Sequence, residues 1–196
     1  MMEIHIFNQH AWPDGAPSAI LEEQLADNLS QRGYDVSLVV GSSKFRTSKR
    51  PRPITPIIRL RTAKTAKRDS QLEVVKDYIQ AVKQFQNYIR TEVKTGDVII
   101  ATSSPFTNVF LANTVKKYLK KVTCIYHMHD YLPSSLASIS RVHKLLKPLI
   151  KFVIDRNLNR WDLVIKLSNN LAYRGGASAD LLFLANNPHG KTHIKT

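Results

Sequence analysis

EIHIFNQHAWPDGAPSAILEEQLADNLSQRGYDVSLVV, residues 3–40, decides the fold. Glu3 to Asn8 is apolar at Ile4, Ile6 and Phe7 and breaks at Trp12-Pro13-Asp14-Gly15, which predicts a buried strand ending in a loop. Ser18 is placed to cap a helix, and Ile20, Leu21, Leu25 and Leu29 recur at helical spacing until Gly33 stops it. Tyr34 to Val40 is a second apolar run. A strand, a helix and a strand in so short a stretch form the unit whose crossover makes the two strands parallel.

The same alternation continues outward. Gly41 to Arg68 contains Pro51, Pro53 and Pro56 among its bases and only the short apolar stretch Ile54 to Leu60, so it reads as a long loop. Ser70 to Val93 is helical, with Leu72, Val75, Ile79, Val82, Phe85 and Ile89 stepping by three or four until Gly96. Asp97 to Thr102 reads as a third, fully buried strand, Ser104-Pro105 as the opening of a helix to about Lys121, and Val122 to Met128 as a fourth strand. Arg141 to Arg160 is helical, with Pro148 predicting a kink or restart, before a fifth strand at Asp162 to Leu167 and a sixth at Leu181 to Leu184. The expectation is one α/β domain: a doubly wound, Rossmann-like, mostly parallel sheet over residues 1–188, with 189–196 a tail or the start of a hinge.

Ligands of such a sheet bind beyond the carboxyl ends of the strands, where strand order reverses. The loops at that edge carry His10, Trp12, Asp14, Gly15 and Ser18; Gly41 to Ser43; Ser103, Ser104, Phe106 and Thr107; His129, Asp130 and Tyr131; and Ser168 to Asn170. Gly15 before a helix start suits a phosphate. There is no G-x-G-x-x-G, P-loop, D-x-D or G-x-S-x-G pattern, which argues against a dinucleotide site, an NTPase and a hydrolase nucleophile elbow. His127-Met128-His129-Asp130 is the densest titratable run. His127 and His129 share a strand face, but neighbours in sequence seldom enclose an ion without a distant third ligand, so no metal or other cofactor is expected. His127 is expected to pack near the sheet, with His129 and Asp130 at the strand end orienting a hydroxyl.

Charge adds a second theme. The 196 residues carry 29 Lys+Arg and 15 Asp+Glu, a net +14, with one cysteine, Cys124. Yet residues 1–40 hold six acids and only Arg32 as a base, a net of −5. Ten bases fall between Lys44 and Arg68 without an acid, and six between Arg141 and Arg160 against Asp155 alone. Such clusters attract phosphate in nucleic acid, nucleotide or anionic lipid. No uncharged apolar run approaches the roughly 18 to 20 residues that span a bilayer, and the lone cysteine suits a reducing compartment, so the expected location is cytoplasmic.

Four segments carry a family resemblance: IFNQHAWPDGA at 6–16, TSSPFTNVFLA at 102–112, HMHDYLPSS at 127–135 and WDLVIKLSNNLA at 161–172. In this order they resemble the N-terminal domain of family 4 glycosyltransferases of GT-B fold. The resemblance implies a retaining enzyme of cell-surface polysaccharide synthesis that moves a sugar from a nucleotide-sugar to a glycan or lipid-linked acceptor. This chain would be its acceptor-binding half. It implies catalytic roles for His129 and Asp130 and a donor-phosphate loop at Gly15 and Ala16, where the family often has two glycines. It implies acceptor contacts from His10, Trp12, Asp14, Ser104, Phe106 and Tyr131, and matches Ser168 to a serine after the fifth strand.

The family's two glutamates eight positions apart are absent, since Glu3, Glu22, Glu23, Glu73 and Glu92 include no such pair, and the donor domain is expected to lie outside this sequence. The basic segments then read as contacts with an anionic membrane surface, through Arg50, Arg52, Arg59, Lys144, Lys147 and Lys151, placing the protein peripherally on the inner face of the plasma membrane. Two alternatives remain open. One is a non-catalytic subunit paired with a separate donor-domain chain. The other is a nucleic-acid binder, disfavoured because no helix-turn-helix, RNP or zinc pattern occurs and Phe45 is the sole aromatic of the basic loop.

Overall fold

The computed structural model describes residues 2–41, 49–60, 71–130, 141–166 and 178–180, the side chains of 71–75, 141–147 and 178–180 excepted. The first unit forms as its sequence predicts: β1 (Glu3–Asn8), α1 (Pro17–Gln31) and β2 (Asp35–Val40). They are followed by β3 (Ile57–Arg59), α2 (Gln71–Thr91), β4 (Val98–Thr102), a 3-10 turn (Phe106–Phe110), α3 (Leu111–Tyr118), β5 (Thr123–Met128), α4 (Arg141–Leu158), β6 (Leu163–Lys166) and β7 (Ser178–Asp180). The seven strands form one sheet in the order β3-β2-β1-β4-β5-β6-β7, and every pairing is parallel. This is the doubly wound order, whose reversal lies between β1 and β4.

Strand alternation sorts the core into two faces. Ile4, Ile6, Val36, Leu38, Val40 and Ile100 are buried with Ala26 of α1. Phe7, Val39, Ile99, Ala101, Cys124, Tyr126 and Met128 are buried with residues of α2, α3 and α4 on the other face. Phe7 meets Phe85 and Tyr88 edge-on at centroid distances of 5.4 and 5.9 Å. The free Cys124 belongs to this core, and burial pushes its thiol up to about 12, so it stays protonated and unreactive at neutral pH.

Several boundaries differ from the sequence expectation. Pro17 starts α1 with Ala16 as the preceding cap residue, because a proline fits the first helical position, where no N–H is needed. Gly33 does stop the helix, at φ 89°, a conformation that favours glycine. The basic loop contains β3, paired Leu38↔Ile57 to Val40↔Arg59, with the Pro56 carbonyl accepting the Leu38 N–H at 2.9 Å. The helix after Ser104-Pro105 opens as a 3-10 turn, where Asn108 Nδ2 donates to the carbonyls of Thr102 (3.1 Å) and Ser104 (3.3 Å). α4 runs through Pro148 without restarting. The last strand is Ser178–Asp180, while 181–184 and the expected tail at 189–196 lie outside the described residues.

The end of the sheet opposite the loops is tied by Asp97. Its carboxylate accepts the backbone N–H of Lys94 (2.7 Å) and of Glu3 (3.1 Å) and lies 3.4 Å from His5 Nε2. Burial alone would raise this carboxyl, but the two N–H groups and His5 hold it below its ordinary range. A carboxyl lowered on folding contributes stability that is present above the unfolded-state value and lost as pH falls through the folded one. The Asp97→Asn variant is therefore expected to lose about 1–3 kcal/mol in urea unfolding at neutral pH. Its deficit against the wild type should shrink as pH drops below the carboxylate range, and a deficit independent of pH counts against this role.

Candidate functional site

The reversal point between β1 and β4 is pinned by side chains. Asn8, fully buried at the end of β1, donates to the carbonyls of His10 (2.9 Å) and Ser18 (3.2 Å), while its Oδ1 accepts the Gln9 N–H at 2.9 Å. Across the sheet, the Thr102 hydroxyl lies 3.0 Å from Asn8 Oδ1 and accepts the Ser104 N–H at 3.1 Å. The Gln9 N–H donates to the Ser104 carbonyl at 2.7 Å, so the loops after β1 and β4 are joined. Ser103 Oγ then accepts the backbone N–H groups of His129 and Asp130, each at 3.1 Å, which sets the turn leaving β5.

β5 delivers both histidines to the α1 face of the sheet. Glu22 of α1, 0% exposed, places Oε1 2.7 Å from His127 Nδ1 and 2.8 Å from His129 Nε2. The two ring nitrogens are 3.4 Å apart and the rings meet edge-on at 4.6 Å. Burial alone would raise the Glu22 carboxyl, but the hydrogen bonds from both imidazoles hold it below its ordinary range. These three side chains also form a group of ligand type within 4.8 Å of one another, with Glu22 the distant third partner that the sequence alone does not offer.

His129 and Asp130 part company here. Alternation carries Asp130 to the opposite face, where it is exposed and lines a small cleft with Ser103, Phe106, Met128 and Tyr126. Phe106 stacks edge-on against Tyr78 at 5.5 Å. Ser104 serves through its backbone, as above.

Three residues expected to hold an acceptor, His10, Trp12 and Asp14, and three expected to touch a membrane, Arg50, Arg52 and Arg59, come together in one unit instead. Glu23, 4% exposed, accepts the Trp12 N–H and an ion pair from Arg50, whose Nη2 also donates to the Asp14 carbonyl at 2.7 Å. Trp12 Nε1 donates to the Arg50 carbonyl at 3.1 Å, and the Arg52 guanidinium sits 5.6 Å over the Trp12 ring. Arg59 donates to the Ala11 carbonyl at 3.2 Å, and His10 Nδ1 lies 3.7 Å from the Asp14 carboxylate. The physical reason is the buried Glu23, which needs a cation. With its side chain 17% exposed, Arg50 clamps the loop after β1 rather than projecting outward.

Ala16 precedes α1 as its cap residue without a side-chain cap, and Gly15 beside it is partly buried. Tyr131, Ser168 and the side chains of Lys144 and Lys147 lie outside the described residues. Lys151 pairs with Asp155 on α4, beside Leu149 (60% exposed), Phe152 (61%) and Val153 (37%). On α4, Ile154 and Leu158 lie in the core while Leu149, Phe152 and Val153 face outward.

The sequence assigns Glu22 and Glu23 no part in a site. The available signal was the small residues Ala19 and Ala26, three and four positions from Glu22, which mark the stripe of α1 that approaches the sheet.

No family model matches the sequence, and no curated protein sequence matches it. Among solved structures, the chain is similar to sucrose-phosphate synthase from Thermosynechococcus elongatus, a GT-B glycosyltransferase, with a TM-score of 0.61 at 14% identity. The match covers 91% of this chain and 47% of that one. The fold is Rossmann-like. The chain spans about half the length of that enzyme.

The Arg50–Glu23 clamp makes a prediction. Arg50→Ala leaves a buried carboxylate without its cation and is expected to cost about 3 kcal/mol in urea unfolding. Arg50→Met combined with Glu23→Gln should recover most of that loss. Equal losses for the single and double variants would show that the pair is not the cause.

Proposed function

We propose that the chain is the acceptor-binding half of a retaining glycosyltransferase, which moves a sugar from a nucleotide-sugar to a glycan or lipid-linked acceptor of cell-surface polysaccharide synthesis. The observation that carries the reading is His129, held by a buried carboxylate at the end of β5 beside the reversal point of the sheet. The fold likeness to sucrose-phosphate synthase and the four sequence segments support it.

In this reading His129 orients the acceptor hydroxyl from the α1 side of the sheet, where the loop of His10, Trp12 and Asp14 borders the acceptor, while Asp130 and Phe106 face the cleft on the other side. The bond between the sugar and the diphosphate breaks as the acceptor oxygen bonds to the sugar, and the acceptor's hydroxyl proton passes to the leaving diphosphate oxygen. The electron pair leaves on the diphosphate, whose growing charge the backbone at Gly15 and Ala16 stabilises before the uncapped start of α1. A donor domain beyond these residues supplies the nucleotide-sugar site. The proposed docking face for an anionic membrane is α4, where the exposed Leu149, Phe152 and Val153 stand beside Lys151 and Arg156.

In the protein translated from the whole reading frame, His129→Ala is expected to lower turnover at least 100-fold with nucleotide-sugar and acceptor present. Wild-type turnover would remove His129 from the reaction. For the membrane contact, the chain is expected to sediment with phosphatidylglycerol vesicles at low salt and less with neutral ones, and Phe152→Asp should weaken this several-fold. Equal sedimentation with both vesicle types, or an unaffected variant, would exclude α4 as the docking face.

A further inference from the structure

The cluster around His129 determines which of its ring nitrogens a ligand meets. Glu22 Oε1 is shared between His127 Nδ1 at 2.7 Å and His129 Nε2 at 2.8 Å. An ionised carboxylate has no proton to give, so both rings donate to it. A neutral imidazole carries one N–H, and when Nε2 holds it the second nitrogen is a bare acceptor. Among the described residues, Nδ1 of His129 takes part in no hydrogen bond, and the side chain keeps 10% of its surface open.

We infer that Glu22 is a positioning residue: it fixes His129 as the Nε2–H tautomer, so that the atom offered to a ligand is an acceptor nitrogen matched to a hydroxyl donor such as a sugar O–H. The identity of that hydroxyl rests on the glycosyltransferase reading; the tautomer does not. His127 completes the device by donating to the same oxygen from the neighbouring register position, and the edge-on contact of the rings at 4.6 Å limits the swing of His129.

The same three groups have the composition of a cation site. The hydrogen-bonded arrangement is favoured because, among the described residues, the buried Nε2 of His127 has no partner. Metal-bound histidines almost always donate their other N–H to an orienting group. Both contacts to Glu22 also fall on one oxygen at ordinary charge-assisted lengths.

The test is long-range proton–nitrogen NMR of the intact chain labelled at histidine nitrogen, at neutral pH, with His127→Gln and His129→Gln used to assign the signals. In the wild type, His129 is expected to show a protonated Nε2 and a bare Nδ1, and Glu22→Leu is expected to spread it over both tautomers. Protonation at Nδ1, an even mixture in the wild type, or an unchanged tautomer in a folded Glu22→Leu protein overturns the inference. So does one equivalent of Zn2+ removing both ring N–H signals, which would assign the cluster to a cation. The wild-type spectrum decides the tautomer even if Glu22→Leu fails to fold. A chain that shows this tautomer while the whole reading frame transfers no sugar would refute the proposed function and leave the role of Glu22 intact.

Discussion

A parallel strand covered by helices on both faces leaves a polar side chain few places but near its ends, and the chemistry of this protein follows from that constraint. β1 and β2 are buried almost along their length, so Asn8, Thr102 and the two histidines collect where the strands run out. There they must satisfy one another. Asn8, Thr102 and Ser104 do so as neutral groups, and His127 and His129 around the carboxylate of Glu22. The reversal of strand order between β1 and β4 then leaves the two networks facing one crevice.

The second network is costly in isolation. A carboxylate taken wholly out of water loses several kcal/mol of solvation, and two histidines compensate only while they stay in place. The same holds for Glu23 and Arg50, one residue along the helix. α1 thus carries two adjacent acids committed to different partners, one in the sheet and one in the segment before β3. The net −5 of the first forty residues, which looks like solvated surface in the sequence, is partly interior charge.

The sequence makes the layers legible and leaves the site half-read. Strands of Val and Ile and helices with periodic Leu and Phe declare themselves because burial acts on every residue of them. β3 stays hidden because only Ile57 and Ile58 mark it, among prolines and bases that read as loop. His129 is legible because it ends an apolar strand. Its partner Glu22 is not, since 107 residues separate them and a lone acid on a helix looks the same whether solvated or buried. Arg50 and Arg59 mislead for the converse reason: a cation in a basic stretch gives no sign that it is spent on the buried Glu23 or on the Ala11 carbonyl.

The adjacency of Glu22 and Glu23 has a consequence for how the chain can change in length. One residue inserted between Ala16 and Glu22 turns the rest of α1 by about 100° against its start, and both acids leave their partners together. A deletion does the same in the other sense. The first turn and a half of α1 therefore has a fixed count of residues, a constraint separate from the identity of any outward side chain within it. Among relatives of this protein, gaps in an alignment should fall on either side of that stretch and not inside it.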